Sequence, residues 1–186
     1  MSCGYIDRGS NADCENLPPG GTRARFVVVN FEDITGWTES TADGRITGFT
    51  QTSGTQGYEF TGFRNDMKKT DEVVNPGIGL NQLKHGCGWV IYERTQVQKN
   101  NIEKLVRGKF IVFAENKGKD ADAFEVIGKD VGVEIVPGVI RNAHENGGFF
   151  VISMATAEGE FESKLPQTLG TSYANAVTLI ADLLAS

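Results

Sequence analysis

The apolar and polar positions divide the chain into short strand-like runs punctuated by glycine, with two segments of helical period. The run at 25–31, Arg-Phe-Val-Val-Val-Asn-Phe, is β-branched and aromatic and predicts a strand. It is apolar on both faces, so it predicts cover on both sides. Asp43-Gly44 is a turn pair leading into a strand at 45–51. A further strand is expected at 57–64, with Tyr58, Phe60 and Gly62 on one face and Glu59, Thr61 and Phe63 on the other. Neither face is plainly polar, which predicts shielding on both sides here as well. Residues 65–84 carry polar side chains, glycines and Asn75-Pro76-Gly77, and read as an exposed hairpin or a long loop.

A strand is expected at 87–93 around Trp89-Val90-Ile91-Tyr92. A helix follows, capped by Thr95 and stopped by Gly108, with Val97, Ile102, Leu105 and Val106 read as one apolar stripe. Residues 109–114 predict a buried strand, so this strand–helix–strand stretch has the length of a crossover or of a helix laid on a sheet. Strands at 122–127 and 131–136 come next, then a hairpin turning at Asn146-Gly147 into 149–154. After Lys164-Leu165-Pro166, Thr171 or Ser172 caps a C-terminal helix in which Tyr173, Val177, Ile180 and Leu184 recur at helical spacing. Residues 1–22 show little periodicity and end in Pro18-Pro19-Gly20-Gly21, an extended arm or a poorly ordered terminus. The expectation is a mainly β domain over 23–186, with one flanking helix, a C-terminal helix and an arm in front.

Composition narrows the class without naming a function. A 39% hydrophobic and 23% charged chain has the balance of a soluble globular protein, which excludes disorder throughout. No run approaches the ~20 apolar residues of a membrane-spanning helix. Met1-Ser2-Cys3-Gly4-Tyr5-Ile6-Asp7 has no signal-peptide pattern, so the protein is expected to be made in a cytoplasm and to stay there or leave inside a particle. The net charge of -6 disfavours tight, phosphate-neutralising DNA binding. It suits plain solubility and a surface past which DNA slides equally well. Cys3, Cys14 and Cys87 are an odd set and read as reduced thiols, with pairing of Cys3 and Cys14 left open.

Reactive constellations are sparse. His85 and Cys87 share a face of an extended strand, half of a zinc set, but no second pair has metal spacing; only Cys3 and Cys14 are left to complete it. A polar-edge histidine beside a small buried thiol is the favoured reading, and His144 stands alone. No Gly-x-Ser-x-Gly elbow or phosphate loop occurs, and Gly77-Ile78-Gly79 lacks the third glycine of a dinucleotide loop. Asp120 with Asp122, and Glu158 with Glu160, read as solvated turn charges. No catalytic residue, cofactor or metal ligand is therefore assigned. The aromatic residues Tyr58, Phe60, Phe63, Trp89, Tyr92, Phe110, Phe113, Phe149 and Phe150 fall on strands and read mostly as core, with some left to anchor a subunit interface.

Several motifs in order carry a resemblance: Gly57-Tyr58-Glu59-Phe60-Thr61-Gly62-Phe63, the helix end Leu105-Val106-Arg107-Gly108-Lys109, Ile111-Val112-Phe113-Ala114-Glu115-Asn116-Lys117, and Ala123-Phe124-Glu125-Val126-Ile127-Gly128. Across most of 46–165 the chain resembles the tail tube (major tail) proteins of tailed phages, of the type found in phages of Bacteroidetes hosts. The resemblance implies a β-sandwich or split-barrel core flanked by a helix. It also implies hexameric rings stacked into a tube within a virion tail, contacts with other tail proteins, and DNA passing through the lumen without specific binding. No family catalytic residue exists to carry over. Residues 65–84 are then expected to reach a neighbouring subunit, with Asn65, Asp66, Lys68, Lys69, Asn75 and Pro76 as the candidate inter-subunit set. Another virion component (a tail terminator, head-completion or capsid-decorating protein) is the alternative, ahead of a small hydrolase or carbohydrate-binding module.

Overall fold

The computed structural model describes residues 22–62, 66–75, 77, 80–138, 140–141 and 148–185. The expected arm apart from Thr22, the Asn146-Gly147 turn, His144, Cys3 and Cys14 lie outside the described residues. The strands are β1 (Thr22–Asn30), β2 (Ile34–Glu39), β3 (Ile46–Gln51), β4 (Tyr58–Thr61), β5 (Lys68–Val74), β6 (Gln82–Ile91), β7 (Phe110–Asn116), β8 (Phe124–Ile127), β9 (Glu134–Ile135), β10 (Phe150–Ala155) and β11 (Gln167–Thr168). Helix α1 (Gln96–Arg107) lies between β6 and β7, and α2 (Tyr173–Ala185) follows β11. The fold is mainly β, with flanking helices.

The strands form a five-stranded sheet in the order β11-β8-β7-β1-β4, a four-stranded sheet in the order β5-β6-β10-β9, and the ribbon β2-β3. All named strand pairings are antiparallel. The two larger sheets face each other across one core. Phe26, Val28, Val112 and Ala114 meet Cys87, Trp89, Ile91, Phe150, Ile152 and Met154 there. Trp89 sits at its centre, edge-on to Phe26 with ring centroids 5.8 Å apart. Alternate residues of the same central strands point the other way: Val27, Val29, Ile111 and Phe113 join Ile34 and Ile46 of the ribbon and Ala176, Ile180 and Leu183 of α2. The doubly apolar run at 25–31 is thus covered on both sides as its pattern requires.

Both helices are capped where the sequence allows. Thr95 Oγ1 accepts from the Gln98 N–H at 3.3 Å. Ser172 Oγ accepts from the Asn175 N–H at 3.2 Å, and Asn175 Oδ1 accepts from the Thr171 N–H at 3.1 Å, a reciprocal pair that starts α2. The apolar stripe of α1 differs from expectation. Ile102 and Leu105 are buried, but Val97 and Val106 are 69% and 51% exposed. At about 100° per residue, Val97 lies about 140° round the helix from Ile102, and Val106 about 100° from Leu105, so neither shares the buried face.

Other boundaries moved for physical reasons. Helix α1 carries the chain from the four-stranded to the five-stranded sheet, so it is not a crossover within one sheet. The strand expected at 131–136 shortens to Glu134–Ile135, while Val133 exchanges backbone hydrogen bonds with Phe110 at 2.8 and 2.9 Å. The Asp43-Gly44 pair does lie in the β2–β3 connection, with Gly44 at φ 72°. The reversal is wider than two residues, because Ser40 N–H bonds Arg45 O at 2.8 Å. The shielding expected around 57–64 holds only in part: Phe60 is half-buried, but β4 is an edge strand and Tyr58 is 55% exposed.

Gly57, just before β4, is a close-packing point. Its N–H bonds Leu183 O at 2.8 Å, and a Cβ there would lie 2.9 Å from Leu183 Cγ and 3.0 Å from Val27 Cγ1. This contact seats the end of α2 against the central strand.

Candidate functional site

The candidate inter-subunit segment is a hairpin. Strand β5 pairs with β6 from Lys68↔Gly88 to Val74↔Gln82, and its other edge has no strand partner among the described residues. A hairpin was one of the two forms its sequence allowed. Its candidate residues do not act as one group. Lys68 and Asn75 are exposed. Lys69 is drawn inward into an ion pair with Glu125 of β8. Asp66 accepts a hydrogen bond from the Tyr92 hydroxyl, and that bond pushes the Tyr92 pKa up. Asn75 Oδ1 accepts from the Gly77 N–H at 2.8 Å, closing a side-chain turn at the tip. Asn65 and Pro76 lie outside the described residues. Beyond the candidates, Asp71 and Glu72 are exposed, and Val73 and Leu80 are 63% and 74% exposed.

The base of the hairpin is rigidly tied. His85 is buried, with Nε2 2.9 Å from Lys164 O and Nδ1 accepting from the Gly128 N–H at 3.3 Å. This bonding selects the tautomer protonated at Nε2. Thr156 N–H bonds His85 O at 2.9 Å, and Glu162 N–H bonds Leu83 O at 2.9 Å. The buried Glu162 carboxylate accepts from the Asp130 and Val131 N–H groups at 2.9 and 3.3 Å. Burial pushes its pKa up against the pull of those bonds. Burial also acts upward on Asp130, but the hydroxyl and N–H of Ser163 and the charge of Lys129 outweigh it and hold that carboxyl low.

Cys87 does share the inner face with His85, as its spacing predicts. The thiol is buried in apolar surroundings, which pushes its pKa up to about 12. No group of three or more potential metal-binding side chains occurs among the described residues. The paired acids lie in turns or hold ion pairs. Asp120 Oδ1 accepts from the Asp122 N–H at 3.1 Å, Asp122 binds Arg45 at 2.8 Å, and Glu160 binds Lys109 at 2.8 Å. No helix is long and apolar enough to cross a membrane.

A second feature escaped sequence reading: a groove of about 1220 Å³ between β4, the end of β6 and α1. One wall is the edge strand β4, and the facing wall carries Gln98, Asn101 and Lys104 of α1. Tyr58 and Phe60, two apart on β4, share a strand face, and Phe60 lies 5.2 Å from the Trp89 ring. Trp89, also on the lining, is 2% exposed and its indole N–H has no hydrogen-bond partner among the described residues. Glu59 on the strand wall is held by Arg25 at 2.9 Å. The signal available in sequence was the excess of amides in α1, Gln96, Gln98, Asn100 and Asn101, on a helix whose buried face is only Ile102 and Leu105.

No family model, no curated protein and no solved structure matches this chain.

Proposed function

We propose that the chain is a structural subunit that assembles with copies of itself, and that its assembly is a tube of the phage-tail kind. One observation carries self-assembly: β5 presents a seven-residue strand edge with no strand partner among the described residues, on a hairpin whose side chains are mostly exposed. An exposed edge of that length is a template for pairing with another chain, and its exposed charges, Lys68, Asp71 and Glu72, guard it against unselective pairing and leave an edge of complementary charge as the partner. Joining such an edge to a different edge of the next copy is a head-to-tail contact, which closes into a ring or extends as a filament. The tube geometry itself rests on the motif order from Gly57 to Gly128 and its resemblance to tail tube proteins. On this reading the net charge of -6 keeps phosphate from sticking to the assembled surface.

Negative-stain electron microscopy of the purified chain, with sedimentation across concentration, tests the proposal. Long tubes are expected. A monomer at every concentration would overturn it, and single closed rings would move the reading to a terminator or completion protein. Deleting the whole of 65–84 is a poor test of the hairpin, because it removes the buried Met67 and part of β6. Replacing 75–81 with a tight two-residue turn keeps the strands and removes the tip; loss of assembly from a folded variant is the expected result.

A further inference from the structure

We propose that the groove between β4 and α1 is the docking site of the chain segment that precedes β1, residues 1–21. This inference does not depend on the tube reading. The groove has the geometry for strand addition: a strand edge with no strand partner among the described residues on one side and a helix on the other, with an aromatic floor between them. An extended segment there satisfies the free backbone edge of β4 and places side chains over Tyr58 and Phe60.

Two observations choose the occupant. First, the described chain begins at Thr22 in β1, the neighbour of β4, and Arg25 is paired with Thr61 at the end of β4. The preceding segment therefore has only one strand to cross. Its last residues, Pro18-Pro19-Gly20-Gly21, have the composition of a chain reversal. Second, 21 residues span at most roughly 70 Å, whereas β4 is only ~13 Å long, so length is no obstacle. Tyr5 and Ile6, a β-prone aromatic and β-branched pair beside Asp7, are the side chains assigned to the floor.

The test uses the full chain with photoreactive benzoylphenylalanine in place of Gln98 (in place of Asn101 should that variant not fold), prepared in isotopically heavy and light forms and irradiated as an equal mixture. Cross-links from the groove to residues within 1–21, joining labels of the same kind, are the expected result. A second variant, Tyr5→Asp with Ile6→Asp, should reduce their yield roughly tenfold. Mixed-label cross-links would assign the groove to a second copy and overturn docking of the chain's own segment. Absence of cross-links to 1–21 in a protein with unchanged circular dichroism would overturn the site altogether. Neither readout depends on whether tubes form.

Discussion

The seam at Gly57 allows a quantitative prediction. Gly57→Ala adds one methyl group at a point where the ideal Cβ lies 2.9 Å from Leu183 Cγ and 3.0 Å from Val27 Cγ1. Val27 and Leu183 are both fully buried, Val27 on a central strand and Leu183 on α2, so neither side can yield without moving an element. The backbone at Gly57 is outside the left-handed region, which leaves crowding as the whole cost. Overpacking of this kind costs about 1–3 kcal/mol. Leu183→Ala alone should cost about 2–5 kcal/mol through lost burial and a cavity. In the double variant the new methyl group enters the space that Leu183 vacated, and only the Val27 contact remains. The Gly57→Ala penalty should then fall below about 1 kcal/mol, a coupling of about 1–2 kcal/mol. Urea titrations of the wild type, both single variants and the double variant give the cycle, provided the slopes agree. Strict additivity would refute the claim that this seam joins α2 to the five-stranded sheet.

The remaining predictions use the same logic elsewhere. Ile102→Ala should cost about 2–5 kcal/mol and Val97→Ala less than about 0.5 kcal/mol in the same titration, since only Ile102 faces the core. Hydrogen bonds from Lys129 and Lys164 lower the Glu39 carboxyl from its ordinary 4.5 to about 2. Its contribution is therefore complete above pH 4.5 and is lost as pH falls toward 2. Comparing acid titrations of wild type and Glu39→Gln should show a stability difference of about 1 kcal/mol or less that is constant above pH 4.5 and disappears as pH falls toward 2, as for partly exposed pairs. Site-resolved alkylation followed by mass spectrometry should find Cys87 unreactive at pH 8 in the native protein and fully reactive in denaturant, because burial holds its thiol at about 12.

Sequence pattern was most informative where burial is two-sided or caps are local. The alternation within Phe26-Val27-Val28-Val29 has no polar face, and the strand it forms divides two cores. Thr95 and Ser172 mark helix starts through bonds that span three residues, so they need no tertiary knowledge. Strand β2 was not anticipated, because Thr35, Gly36 and Thr38 surround a single large apolar residue, Trp37, that packs on Phe49 and Phe113. Strand β11 is two residues long and exists only because β8 is beside it. The groove was invisible for a similar reason: Tyr58, Trp89 and Gln98 come from three elements, and only the fold brings them to one place. Of the proposed inter-subunit residues, Lys69 and Asp66 show the limit of a linear reading. Polar composition suggested an outward surface, yet both side chains bond within the subunit.

The two-faced strands β1 and β7 impose an order on synthesis. Their first face can meet β6 and β10 as soon as those strands are made, but Val27, Val29, Ile111 and Phe113 need α2 to complete their second cover. That helix comes from residues 173–185, after every described strand has been synthesised. A nascent chain released before this point leaves that aliphatic and aromatic face covered only in part, by the ribbon β2-β3, and the remainder is the kind of surface that chaperones hold and that aggregates nucleate upon. The cover of this second face is therefore made after all the described strands that it shields.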